Sequence, residues 1–154
     1  MIIVSACLLG FNCRYDGRSR SEDDLILSAL KEHLVPVCPE QLGGLPTPRP
    51  PSEIRGGDGL DVLEKRARVV SLSGRDVTDH FLQGAQEVAR FIELMGISTA
   101  ILTEKSPSCG VFRIKRDGIT LRGTGVTSAL LMQNGVRVIS SDRIRAELNL
   151  TVGR

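Results

Sequence analysis

The chain has 154 residues, of which 41% are apolar and 25% charged, the balance of a soluble domain long enough to bury a core. Lys and Arg number 20 against 18 Asp and Glu, for a net charge of +2, which excludes the concentrated basic face of a broad nucleic-acid binder. With no Trp and one Tyr, an aromatic platform for single strands is excluded as well. No apolar run is long enough to span a membrane. The amino terminus, Met1 to Ala6, lacks the basic n-region of a signal peptide. A cytoplasmic protein with neither nucleic-acid nor membrane partner is therefore expected.

In chain order, Ile2 to Ala6 reads as a short buried strand with Cys7 at its carboxyl end. Cys13-Arg14-Tyr15-Asp16-Gly17 follows, and Asp-Gly marks a turn. Ser21 as N-cap, with Glu22, Asp23 and Asp24 in the first turn, predicts a helix to about His33. Leu34 to Val37 is a second buried strand, and Cys38 stands just past it. From Cys38 to Pro51 the glycines and prolines predict a stiff loop that is neither helix nor sheet, holding Cys38, Glu40 and Arg49 together. Pro50 to Asp61 reads as irregular. Val62 to Glu64 and Ala67 to Ser71 read as two short strands of a marginal hairpin or flap.

A long helix is predicted from Asp76 or Thr78 to about Met95, with Phe81, Val88 and Ile92 on core faces and Gly96 as its left-handed stop. Ser98 to Thr103 is the next strand and leads into Glu104-Lys105-Ser106-Pro107-Ser108-Cys109-Gly110. Val111 to Lys115 and Ile119 to Arg122 flank Arg116-Asp117-Gly118 as a hairpin. A helix opens after Gly123-Thr124-Gly125 and runs through Met132, Val136 to Ile139 is a last strand, and a helix capped by Ser141 or Asp142 runs to about Leu148. Strands alternating with helices predict the α/β class: a single domain, with an open, mostly parallel sheet, helices on both faces and a small hairpin or flap.

Four cysteines occur, at 7, 13, 38 and 109. Taken singly, each is more readily a buried thiol packing as a small hydrophobe, and a reducing compartment disfavours disulfides. Their positions change this reading. Cys7, Cys38 and Cys109 each follow a predicted strand, and in a parallel sheet the carboxyl ends share one edge, where ligands bind. Thiols converging there imply a soft metal, either zinc or an iron–sulfur cluster, with Cys13 as a fourth ligand or a neighbour. The chain lacks the paired C-x-x-C units of many structural zinc sites, and His33 and His80 fall in predicted helices. Zinc is the weaker alternative, which spacing alone leaves open.

Several motifs occur together and in order: Ser5-Ala6-Cys7-Leu8-Leu9-Gly10, Cys13-Arg14-Tyr15-Asp16-Gly17, Cys38-Pro39-Glu40 with Gly44-Leu45-Pro46-Thr47-Pro48-Arg49, Lys105-Ser106-Pro107-Ser108-Cys109-Gly110, and Gly123-Thr124-Gly125-Val126-Thr127. The series resembles the domain-of-unknown-function 523 family, whose characterised members are thiouracil desulfidases, from about Ile2 to Ile139. The resemblance implies a [4Fe–4S] cluster held by three cysteines, at the positions of Cys7, Cys38 and Cys109, with Cys13 outside the set. It also implies acid–base roles for Glu40 and Ser106. One iron would then lack a protein ligand and could take a thiocarbonyl sulfur as a Lewis acid, while Glu40 activates water or shuttles a proton. No flavin or nicotinamide is expected.

Each residue also has a bland reading. Glu40 fits the first turn of a short helix after Pro39, and Ser106 and Ser108 fit plain turns. Arg14, Asp16, Arg49, Thr124 and Thr127 are the substrate-binding candidates. Against that, Arg14 and Asp16 fit a local ion pair, Arg49 fits a partner such as Glu53, and Gly123-Thr124-Gly125 fits a bare turn as well as an anion cradle. The leading function is non-redox desulfuration of a thiolated small molecule, a thiopyrimidine or thioamide. The alternatives are a cluster- or zinc-containing sensor or binding module and a thiol redox protein using Cys7 with Cys13 or Cys109. The sequence leaves a homodimer open.

Overall fold

A computed structural model describes residues 1–20 and 25–148. Its strands are β1 (Ile2–Ser5), β2 (Leu34–Val37), β3 (Ser52–Arg55), β4 (Arg68–Ser71), β5 (Thr99–Leu102), β6 (Arg113–Arg116), β7 (Ile119–Arg122) and β8 (Arg137–Ser140). Its helices are α1 (Leu25–Leu30), α2 (Pro39–Leu42), α3 (Gly59–Leu63), α4 (Thr78–Met95), α5 (Val126–Gln133) and α6 (Ile144–Glu147). The expected N-cap Ser21 and the acidic residues after it lie outside the described residues.

The central sheet has the order β2-β1-β5-β8, and every pairing in it is parallel. Side chains alternate across a strand, and here both sets are apolar. Ile3, Ala100 and Leu102 pack with Val88 and Ile92 of α4 and Leu131 of α5. Val4, Ile101 and Ile139 pack on the opposite face with Leu27 of α1 and Ile144 of α6. Helices therefore cover both faces, as the near-continuous apolar strands predict. The chain moves outward from β1 to β2, then returns past β1 to β5. The order of strands reverses between β1 and β5, and in such sheets a crevice opens there, outside the carboxyl ends.

A second apolar cluster lies beside the sheet. Ile54 of β3, Val69 of β4, Val62 of α3, Ile114 of β6 and Val126 of α5 bury themselves against Phe81 and Ala85 of α4. Helix α4 thus serves two cores, one with each end of its apolar surface, and Gly96 closes it at φ 67° as expected. Burying one side chain such as Phe81, 1% exposed, contributes about 1.5–3 kcal/mol.

Four expectations need correction. Residues 50–61 are not irregular: β3 and the start of α3 lie there. The flap does not pair Val62–Glu64 with Ala67–Ser71. Val62 and Leu63 are helical, and β4 pairs antiparallel with β3 in the register Ile54↔Val69. The helix is chosen by Asp58, whose carboxylate accepts from Leu60 N and Asp61 N while Asp61 accepts from Asp58 N, a capping box. The segment after Cys38 does contain helix, because Pro39 stands at a first-turn position where its missing N–H costs nothing. Finally, β2 is a half-buried edge strand, which is why it tolerates the exposed Pro36.

Candidate active site

The carboxyl rim of β1, β2 and β5 opens into a cavity of about 490 Å³ lined by all four cysteines together with Glu40, Arg49 and Ser106. Cys7 sits in a single 3-10 turn, Ala6–Leu9, directly after β1. Cys38 is the N-cap of α2, directly after β2. Cys109 stands farther from its strand, in a turn closed by Gly110 N donating to Ser106 O at 2.9 Å. Cys13 packs with Cys7 and Cys38, and the Cys38 thiol lies 3.7 Å from the Cys13 carbonyl oxygen. All four are free.

Helix α2, which carries Glu40, is seated by close backbone approach. A Cβ at Gly84 of α4 would run into the Pro39 carbonyl oxygen, and one at Gly43 would run into the His80 carbonyl oxygen. The His80 ring nitrogen Nδ1 also meets Gly43 O at 2.7 Å. His80 is therefore a half-buried tie between α4 and α2 rather than a surface residue. Neither His80 nor the exposed His33 lines the cavity.

The Glu40 carboxylate meets Arg49, whose Nε donates to Glu40 Oε2 at 2.8 Å. The partner of Arg49 is thus Glu40 and not Glu53. Glu53 Oε1 instead accepts from Asp117 N at 2.9 Å. Glu53 Oε2 lies 2.8 Å from Arg55 Nη2 without the alignment of a hydrogen bond.

Ser106 Oγ accepts from Ser108 N at 3.1 Å and from Cys109 N at 3.0 Å. With its lone pairs engaged, the hydroxyl proton is what this serine has to offer the cavity. Lys105, just before it, takes the left-handed φ of 65° and donates its N–H to Arg113 O at 3.0 Å. Ser106, Pro107 and Cys109 of the turn that follows line the cavity.

Glu104 escaped the sequence reading. It is 2% exposed, and its carboxylate accepts from Val111 N at 2.7 Å, Phe112 N at 3.1 Å and Ser140 Oγ at 2.9 Å. It ties the Cys109 loop to the end of β8. The available signal was a carboxylate immediately after the apolar strand run, a place where a charge stays buried only if fully bonded. Arg20 also joins this wall, donating through Nη1 to Thr103 Oγ1 at 3.2 Å and Glu104 O at 2.9 Å.

Of the substrate-binding candidates, Arg14 and Arg49 line the cavity, whereas Asp16, Thr124 and Thr127 do not. Thr127 is fully buried, 2.9 Å from the Ser108 hydroxyl. Asp16 accepts from Arg18 N at 3.0 Å, and the described residues contain no Arg14–Asp16 ion pair. Arg14 leans over the Tyr15 ring at 5.7 Å.

Burial raises the pKa values of the Cys7, Cys13 and Cys109 thiols. For Cys7, desolvation leads and the nearby Cys38 adds to it, against Arg14 and Arg20. Cys13 is pushed up to about 12, first by burial and then by Cys38 and Cys7. Cys109 is pushed up chiefly by burial, and Ser5 counters part of this. Thiols so held keep their protons near neutral pH and are poor nucleophiles, which weighs against a thiol redox protein. Thiolate ligation would draw those protons off, as it does in metal sites generally.

Comparison with known proteins decides the family. The profile of the 2-thiouracil desulfurase family matches residues 2–143. The chain belongs to this family. Membership makes it an enzyme of the desulfurase type. It is 42% identical over 147 residues to an uncharacterized protein, YbbK, of Bacillus subtilis strain 168, covering 94% of this chain and 97% of YbbK. It is also 42% identical to the solved structure of the [4Fe–4S]-dependent thiouracil desulfidase TudS, with a TM-score of 0.85, covering 99% of this chain and 98% of that one.

The [4Fe–4S] group named for that desulfidase has a counterpart to be met in this chain's donor set. Among the described residues, no three His, Cys, Asp or Glu side chains are grouped closely enough to hold a metal ion. A cluster spreads its thiolates over several irons, and four cysteines around one cavity are the donor chemistry it takes. The chemistry of these residues fits an iron–sulfur cluster.

Proposed function

We propose that the protein removes sulfur from a thiolated small molecule of the thiouracil type, with water supplying the oxygen that replaces it. The overall change is thiocarbonyl plus water to carbonyl plus hydrogen sulfide, which balances without any electron acceptor. The observation that carries this reading is the meeting of four free cysteines, Glu40 and Ser106 around one cavity at the sheet's switch point. In this reading Cys7, Cys38 and Cys109 hold a [4Fe–4S] cluster. When bound, the cluster supplies a Lewis-acidic iron with an affinity for soft sulfur.

The chain's own groups do the rest. Glu40 keeps Oε2 on Arg49 and has Oε1 to take a proton from water as the water oxygen attacks the thiocarbonyl carbon. Ser106, accepting two backbone N–H groups, donates its hydroxyl proton to the substrate or passes a proton toward the departing sulfur. Arg14, at the cavity wall, is a substrate-binding candidate.

The test is purification without oxygen, iron and sulfide analysis, then 2-thiouracil turnover in oxygen-18 water. We expect a brown protein with iron and acid-labile sulfide in near-equal amounts, loss of the thiocarbonyl absorbance, and heavy oxygen in the uracil formed. Intact cluster with unchanged thiouracil would favour the sensor reading, and product without heavy oxygen would overturn the role given to water.

A further inference from the structure

Arg49 is enclosed in the cavity wall at 8% exposure, and nearly all its donors are taken. Nε donates to Glu40 Oε2 at 2.8 Å, Nη1 to Pro46 O at 3.2 Å and Thr47 Oγ1 at 3.0 Å, and Nη2 to Cys13 O at 3.0 Å. Its backbone N–H donates to Tyr15 O at 2.8 Å. A guanidinium has five N–H donors, so this one has little left for a substrate anion. Its contacts join three pieces of chain: the Cys13–Tyr15 loop, the first turn of α2, and the Pro46–Thr47 bend. Among the described residues no donor reaches Glu40 Oε1.

We propose that Arg49 is a positioning residue: it grips one oxygen of Glu40 and thereby aims the other at the substrate, rather than binding substrate itself. The proposal rests on the reading of Glu40 as the acid–base residue. Lysine does not replace Arg49 here, because a single ammonium nitrogen cannot span Glu40, Thr47 and the Cys13 carbonyl from one planar fork.

The test uses the cluster-loaded enzyme with thiouracil and four variants: Arg49→Ala, Arg49→Lys, Glu40→Gln and the double variant Arg49→Ala/Glu40→Gln. Arg49→Ala and Arg49→Lys are each expected to lower kcat by about 10²-fold, the cost of a misplaced catalytic group, with KM little changed. The double variant should be no slower than Glu40→Gln alone, because two groups that act as a unit are not additive. Millimolar methylguanidinium should restore much of the lost kcat to Arg49→Ala and none to the double variant. In the cluster-free chain the same ion should raise the Tm of Arg49→Ala and leave that of the natural sequence unmoved.

Should Arg49→Ala shed its cluster, Arg49→Lys carries the comparison. A raised KM with unchanged kcat, or losses that multiply in the double variant, overturns the proposal. Full activity in Glu40→Gln would remove the reading of Glu40 itself. An inactive Glu40→Gln beside an Arg49→Lys with normal kcat would remove only the role of Arg49.

Discussion

The two walls of the sulfur-lined cavity are built by opposite devices. On the wall after β1 and β2, a buried cation, Arg49, gathers carbonyl oxygens and one carboxylate. On the wall after β5, a buried anion, Glu104, gathers backbone N–H groups and the Ser140 hydroxyl. Each charge is enclosed, and each is kept there by hydrogen bonds that replace its lost hydration. The difference is where the bonds end. Glu104 spends both oxygens on scaffold, tying the Cys109 loop to the end of β8. Arg49 ends partly on Glu40, a group with an oxygen still free, so under the proposed function its hold would reach the chemistry.

The largest expected effect tests whether both walls contribute sulfur. Cys7→Ala, Cys38→Ala and Cys109→Ala should each lose cluster absorbance, iron and desulfidase activity together, whereas Cys13→Ala should keep most of all three. Retention by Cys109→Ala would show that the β5 wall is not a ligand wall.

Next comes the anionic clamp. Glu104→Ala strips acceptors from Val111 N, Phe112 N and the Ser140 hydroxyl and should cost roughly 3–5 kcal/mol of stability in urea unfolding. Glu104→Gln, which keeps one acceptor oxygen, should cost less. Equal losses would mean that volume rather than hydrogen bonding holds this wall.

On the other wall, Gly84→Ala should cost about 1–3 kcal/mol by overpacking against the Pro39 carbonyl. Because α2 carries Glu40 and begins at Cys38, activity should fall by more than the fraction unfolded explains. Activity tracking the folded fraction alone would detach α2 seating from function.

The smallest effect lies outside both walls and serves as their reference. Asp76 accepts from Thr78 N at 2.9 Å at the start of α4, and its carboxyl is held below the usual range by the Thr78 hydroxyl first and the Thr78 N–H second. The folded chain therefore binds this proton less readily than the unfolded chain. The stabilisation is present above the ordinary carboxylate pKa and fades as pH falls through the lowered value. Asp76→Ala should cost about 1 kcal/mol or less at pH 7 and progressively less in acid, read as converging urea midpoints. A gap that widens in acid would contradict the assigned shift.

Much of the fold was readable in advance. The strands around Ile3, Ile101 and Ile139 and the helix with Phe81, Val88 and Ile92 declared themselves by apolar periodicity, and Gly96 by its place after the last apolar turn. The misreadings share a cause. Ser52 to Arg55 is a strand only because β4 supplies the ladder from farther along the chain, and Pro39 to Leu42 is a helix only because Pro39 occupies its first turn. In both, glycine and proline density masked the element, since local composition does not reveal which backbone groups find distant partners. At the site, Cys7, Cys38, Glu40 and Ser106 were legible from their places after strands and beside prolines. Glu104 and the Glu40–Arg49 pair were not.

The sequence by itself determined the α/β alternation, the rim on which the sulfurs stand and the family to which they belong, because periodicity and ordered motifs are properties of near neighbours along the chain. Only the tertiary structure decided which charges meet. Arg49 choosing Glu40 over Glu53, and Glu104 bonding to the Val111 and Phe112 backbone and the Ser140 hydroxyl, depend on which groups lose their water together, and that is settled when remote segments close on one another.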